Sequence, residues 1–293
     1  MANRLRKWHL GCALLSSALL FIAPVACSAN EAPLIVDEAT VSTLQNQNLQ
    51  PLLTADVLYL GEHHDSAADH AAQLAILESI YAENPNVAIA LEMFQRPFQP
   101  IIDRYLAGAI SEADLVEQSE YEQRWGFPWG YYAPILRFAQ AHQLPVLALN
   151  APSEVVRQVA REGLSSLEAE DFRYIPSLDN LDTSNTSYQA FVKAAFGSHG
   201  GHGDFNFDNF FAAQVIWDET MAEAIANFKQ ASPDTLVIVL AGNGHVVYGY
   251  GIPDRVARRL GDSLQQTTVL LNFPEELLVG AGDDIADVLW YSE

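Results

Sequence analysis

The sequence predicts an α/β fold, with a mostly parallel central sheet flanked by helices and a helical and loop insertion forming a lid. Three observations carry this. Short apolar runs recur along the chain without the strict alternation of a sheet that is wetted on one face. Stretches of helical periodicity separate them. Several of the runs end abruptly in glycines and ionisable side chains, as strands do where they deliver a site to the carboxyl edge of a parallel sheet.

Asp56–Leu60 is the first strand, and Gly61 breaks it. Glu62, His63, His64 and Asp65 follow at once, with Asp69 and His70 just behind. Leu74, Leu77 and Ile80 then mark a helix over 67–81, for which Asp65 or Ser66 is the N-cap. Val87–Leu91 is a strand buried on both faces, ending in Glu92. Pro97 opens a helix to Ala107, closed by Gly108. Ser111 with Asp114 forms a capping box for a short helix.

Six aromatics then crowd residues 121–132 among Gly126, Pro128 and Gly130. They either line a flat apolar ligand site or staple a long loop to the core. A helix over 133–142 leads to the strand Pro145–Leu149, and another helix begins at Pro152 or Ser153. Residues 164–205 are the least regular and form the insertion. Its last part, Gly197–Asp204, is a glycine-rich loop carrying His199 and His202. A long amphipathic helix over 206–228 precedes the strand Thr235–Ala241. That strand delivers Gly242-Asn243-Gly244-His245, followed by Tyr248 and Tyr250. Pro253 starts a helix to Leu260, and strands over 267–272 and 286–291 finish the chain. Six strands are too few for an eight-stranded barrel.

The chain has 293 residues, 37 acidic against 15 basic. Nucleic acid is excluded as a partner, because phosphate binding needs clustered Lys and Arg. Residues 1–27 read as an export signal: Arg4, Arg6 and Lys7, then an apolar run too short for a stable span. Both cysteines, Cys12 and Cys27, fall within it, so the domain over 51–293 has no thiol for a disulfide or a metal. Cys27 stands where a bacterial lipoprotein signal places its lipidated cysteine, although Pro24 departs from that pattern; cleavage without lipidation is the alternative. Residues 28–50 form a polar tether.

Strands of a parallel sheet share one carboxyl edge, so Glu62 with His64, Glu92, and His245 with Tyr248 can converge there. Two chemistries fit. In one, His64, His245 and one or both glutamates hold a divalent metal that activates water for hydrolysis. In the other, ferric haem lies against the aromatic and glycine-rich surfaces with a tyrosinate as axial ligand. The bland alternative is that Glu62, Glu92 and His245 satisfy one another.

Several motifs carry a family resemblance: Gly61-Glu62-His63-His64-Asp65, Asp69-His70, Leu91-Glu92-Met93-Phe94, Tyr105-Leu106-Ala107-Gly108, Ala213-Gln214 with Trp217-Asp218, and Gly244-His245-Val246 with Tyr248-Gly249 and Gly251-Ile252-Pro253. In this order, over about 50–262, they resemble the ChaN-like haem-binding lipoproteins. The resemblance implies an α/β fold related to the erythromycin-esterase and Tiki groups. It implies haem uptake at the bacterial envelope, with haems held between the subunits of a homodimer and each iron ligated by tyrosine. Tyr248 is the first choice for that ligand; Tyr250, Tyr131 and Tyr132 are alternates, and His199 and His202 are candidates for propionate contacts. An outer-membrane haem transport system is the implied partner. Relatives that are metal-dependent hydrolases of esters or peptides keep the positions of Glu62, His64 and His245, which makes Glu62, His64, Glu92 and His245 the catalytic candidates if this chain is an enzyme.

Overall fold

The computed structural model describes residues 50–198, 206–261, 263–274 and 285–292. The export signal, the tether apart from Gln50, Cys27, His199 and His202 lie outside the described residues. Six strands form one sheet: β1 (Val57–Glu62), β2 (Val87–Gln95), β3 (Val146–Asn150), β4 (Leu236–Gly242), β5 (Gln266–Leu271) and β6 (Val288–Trp290). Their order is β3-β2-β4-β1-β5-β6, and every pairing is parallel.

The helices divide between the two faces in the way the connections require. α1 (Ala67–Glu83) joins β1 to β2, while α2 (Gln99–Leu106), α3 (Glu112–Gln118) and α4 (Trp129–His142) lie between β2 and β3. These connections step along the sheet in one direction. The connections after β3 and β4 step back, through α5 (Ser153–Glu162), α6 (Thr186–Ser198), α7 (Phe207–Ala231) and α8 (Ile252–Leu260). Right-handed crossovers running in opposite directions must lie on opposite faces. The packing agrees: α1 and α4 cover Leu58, Leu60, Ile89, Leu91, Ile238 and Leu240. On the other face α7 and α8 cover Val57, Tyr59, Ala90, Val237 and Val239.

The pleat then aims the site residues. Glu62 continues the parity of Leu58 and Leu60 and faces α1 and α4. Glu92 continues the parity of Ala90 and faces the α7 side. Since β1 and β4 are neighbours whose connections leave toward opposite faces, the crevice at their carboxyl ends is the switch point of the sheet, where ligands collect in such folds.

Three local readings are corrected by the structure, and one choice between two N-caps is decided. β2 does not stop at Leu91 but runs to Gln95; the Gln95 carboxamide oxygen accepts from Arg124 Nη1 at 2.9 Å and from the Ser153 amide at 3.2 Å, which offsets burying a polar side chain there. α4 begins at Trp129, so Tyr131 and Tyr132 lie on a helix and not in a loop; Pro128 holds the N-cap position. The insertion contains α6, which the turn-rich composition before it had hidden. Its side chains Tyr188 and Val192 pack with Phe210, Phe211 and Val215 of α7, so the insertion is attached to the core. Ser66 is the N-cap of α1, its hydroxyl accepting from the Asp69 amide. Among the described residues no helix is long and apolar enough to cross a membrane.

Candidate functional site

At the switch point β1 presents Glu62 and His64, both almost wholly buried. Glu62 Oε1 takes hydrogen bonds from His64 Nδ1 at 2.7 Å and from the Tyr132 hydroxyl at 2.7 Å. Oε2 accepts from the Gln73 amide at 2.6 Å, with His70 Nδ1 3.6 Å away. Burial alone would raise the Glu62 pKa. His70, the bond and charge of His64, and the Tyr132 bond outweigh it and hold Glu62 at about 2. His70 is fixed by the His64 carbonyl at 3.0 Å and stacks on Tyr131 with ring centres 4.8 Å apart.

Across the crevice, Glu92 Oε2 accepts from the Gly242 amide at 2.6 Å, and Glu92 Oε1 lies 3.3 Å from His245 Nε2 and 4.0 Å from His64 Nε2. His245 Nδ1 donates to Asp218 Oδ1 at 2.6 Å, and Asp218 Oδ2 accepts from the Tyr188 hydroxyl at 2.6 Å. Burial would depress the His245 pKa, but Glu92 and Asp218 on either side push it up to about 10. His64 moves the same way: burial opposes, and Glu92 and Glu62 prevail. Glu92 is held low against its burial by His245 and His64. Carboxylates and imidazoles therefore alternate along the crevice, from α1 and α4 through β1 and β2 to α7 and the insertion.

Two glycines allow this approach. A Cβ on Gly61 would lie 2.6 Å from Asn243 Oδ1, and one on Gly251 would lie 2.3 Å from the His245 carbonyl oxygen. The second clash is with backbone, so only glycine fits behind His245.

The structure brings Glu62, His64, Glu92 and His245 together as the sequence suggested, and they do satisfy one another. A metal would need each ligating imidazole to offer an unprotonated ring nitrogen. Among the described residues no three His, Cys, Asp or Glu side chains are grouped as a metal ion requires. Asp218 and Tyr188 were not singled out as site residues. The legible signal for Asp218 was its spacing, four residues after Gln214 on the apolar stripe of α7; Tyr188 carried none, because α6 was not recognised.

Tyr248 and Tyr250 stand apart from the ion-pair chain. The turn after His245 holds Tyr248 at φ 56°, and its ring stacks on Tyr250 with centres 5.3 Å apart and meets Phe191 of α6 edge-on at 6.0 Å. Both tyrosines are half-buried. Tyr132 is corrected as an alternate haem ligand: it is fully buried and its hydroxyl is spent on Glu62. Phenolic oxygen suits ferric iron, and stacked aromatic faces suit a flat macrocycle, so the Tyr248 surface has the donor chemistry that haem requires.

Residues 49–256 match the family described as haem-binding uptake, Tiki superfamily, ChaN. The chain belongs to the ChaN family. Among solved structures, the ChaN of Campylobacter jejuni, described with cofacial haem binding, superposes with a TM-score of 0.62 at 20% identity, over 82% of this chain and 89% of that one. This shows that the ChaN fold is shared. A mutant of the erythromycin esterase EreC in its open conformation is a more distant likeness, with a TM-score of 0.46 at 13% identity over 80% of this chain and 75% of that one. Among curated proteins, Protein RETICULATA-RELATED 5, chloroplastic, of Arabidopsis thaliana is 27% identical over 259 residues, which cover 83% of this chain and 35% of that protein. The chain thus spans about a third of that relative's length.

Proposed function

We propose that this ChaN-family chain binds ferric haem through the phenolate of Tyr248. The observation that carries the reading is the placement of Tyr248: a half-buried phenol in a left-handed turn, stacked on Tyr250 and flanked by Phe191. A left-handed conformation is rare for an aromatic residue and is retained where surrounding structure imposes it, often at ligand sites. Bound haem would supply a ferric centre for an anionic oxygen donor. The chain's own part is to hold that phenol in one direction and to offer the Tyr250 face beside it.

In this reading two copies come together around the haem, and His199 and His202 reach the propionates. The protein works in haem uptake at the bacterial envelope with an outer-membrane transport system. It is anchored through a lipid on Cys27, or is soluble in the periplasm if Cys27 is not lipidated. The test is visible spectroscopy of haemin-loaded variants. Tyr248→Phe is expected to lose the charge-transfer band of phenolate-ligated ferric haem, whereas Tyr250→Phe keeps it. An unchanged spectrum in Tyr248→Phe would contradict the assignment.

A second reading, hydrolysis of an ester or peptide, is favoured by one observation: the Asp218–His245–Glu92 and His64–Glu62 pairs meet in the crevice at the sheet's switch point. Paired acids and imidazoles buried together are a common acid–base arrangement. In this reading the protein hydrolyses a panel of activated esters and peptides. Glu92→Gln then lowers kcat about a hundredfold or more while haemin binding survives. No turnover by the wild type with added metal would remove this reading.

A further inference from the structure

The signal aside, the chain carries only 12 basic residues, since Arg4, Arg6 and Lys7 account for three of the 15. Three of the 12, Arg255, Arg258 and Arg259, lie on one face of α8 around Glu219 of α7. Glu219 is wholly buried. Arg255 Nε lies 3.3 Å from its Oε1 and Arg259 Nη1 is 2.6 Å from its Oε2; Arg258 Nη2 also donates to Oε1. Asp182 of the insertion is the other carboxylate beside them; its amide donates to Glu219, its carbonyl accepts from Arg255, and its own side chain accepts from the Ser184 amide. Three guanidinium groups gathered on one buried carboxylate concentrate basic charge in a chain of net charge −22.

Through Arg255 this cluster reaches the loop that carries Tyr248 and Tyr250. Arg255 Nη1 donates to the carbonyls of Tyr250 at 2.6 Å and Gly251 at 2.9 Å, and its guanidinium lies 5.2 Å over the Tyr188 ring. Tyr188 in turn is 6.2 Å from Tyr250, which stacks on Tyr248. Arg255 is enclosed, but the Arg258 side chain is 38% exposed, and one carboxylate does not exhaust five N–H donors. A ferric porphyrin carries both carboxylates on one edge, so its iron ligand and its carboxylate anchor must be neighbours on one surface.

We propose that Arg258, held in place by Glu219 and backed by Arg255 and Arg259, binds a haem propionate carboxylate. The inference rests on the haem reading and adds to it a propionate anchor within the described residues. The guanidinium fork suits a carboxylate bidentately, and an exposed carboxylate approaching an otherwise acidic surface meets attraction here.

The test is a pair of titrations, with haemin and with haemin dimethyl ester, in one detergent buffer, read by the Soret shift. The wild type is expected to bind haemin about tenfold more tightly than the ester. Arg258→Gln should remove that preference, Arg258→Lys should keep part of it, and the phenolate charge-transfer band should persist in both. Glu219 keeps Arg255 and Arg259 in these variants, so the fold is retained. Equal wild-type affinity for haemin and its ester overturns the propionate anchor without touching the ligand tyrosine, independently of any variant. So does an Arg258→Gln loss that is equal for both ligands. Failure of the wild type to bind either one overturns the haem reading, and the anchor falls with it.

Discussion

Glu219→Ala is expected to destabilise the protein by about 3–5 kcal/mol, the cost of removing one partner from a buried ion-pair group. Glu219 is wholly enclosed and gathers Arg255, Arg258, Arg259 and the Asp182 amide. Arg258 and Arg259 can turn to solvent once it is gone, but Arg255 cannot. It lies under Tyr188 at 1% exposure, and its remaining bonds go to neutral carbonyls. An uncompensated guanidinium in that position is the dominant cost, with the unpaired Asp182 amide adding to it. The same change removes one tie of the insertion to α7, the bond from the Asp182 amide. Urea unfolding followed by circular dichroism measures it, and a loss below about 1 kcal/mol would show that the arginines are stable there without the carboxylate.

The second large effect is on pH. His245 has its folded pKa raised from 6.5 to about 10, so its contribution to stability is complete below 6.5 and is lost as the pH rises through about 10. Glu62 has its folded pKa lowered from 4.5 to about 2, so its contribution is complete above 4.5 and is lost as the pH falls through about 2. His64 reinforces the alkaline limb and Glu92 the acid one. Stability is therefore expected to be greatest between about 4.5 and 6.5, with each pKa unit worth about 1.4 kcal/mol. Lowering the pH also relieves the self-repulsion of a chain with charge −22, which makes the acid limb the shallower of the two. Urea midpoints across the pH range would show this, and a midpoint that kept rising from pH 6 to pH 9 would contradict the ion-pair chain. His245→Gln should flatten the alkaline limb.

The sheet was legible because both its faces are covered. Runs such as Val87-Ala-Ile-Ala-Leu91 and Leu236-Val-Ile-Val-Leu240 have no polar face, and only a parallel sheet between two helical layers takes them. The site residues that follow apolar runs, Glu62, Glu92 and His245, were legible for the same reason: polar groups placed there collect at the carboxyl edge of the sheet. What could not be read came from helices crossing that edge. Asp218 stood in a family motif without a role, and only the β3-to-β4 crossover puts it behind His245. Tyr188 sits on a helix preceded by sixteen residues of turn-like composition, over 171–186. Tyr132, an alternate ligand under the family resemblance, was read outside any helix; on α4 its hydroxyl donates to Glu62 instead. Tyr248 was picked from its glycine-rich surroundings; its left-handed turn was not foreseen.

Haem binding is tested most directly by titrating haemin into the wild-type protein lacking residues 1–27 and following the visible spectrum. The account predicts a saturable, shifted Soret band at a defined stoichiometry, together with the charge-transfer band of phenolate-ligated ferric haem. Spectra no different from those of haemin mixed with an unrelated acidic protein would contradict it, and would leave the buried Glu62–His64–Glu92–His245–Asp218 chain as the feature to explain.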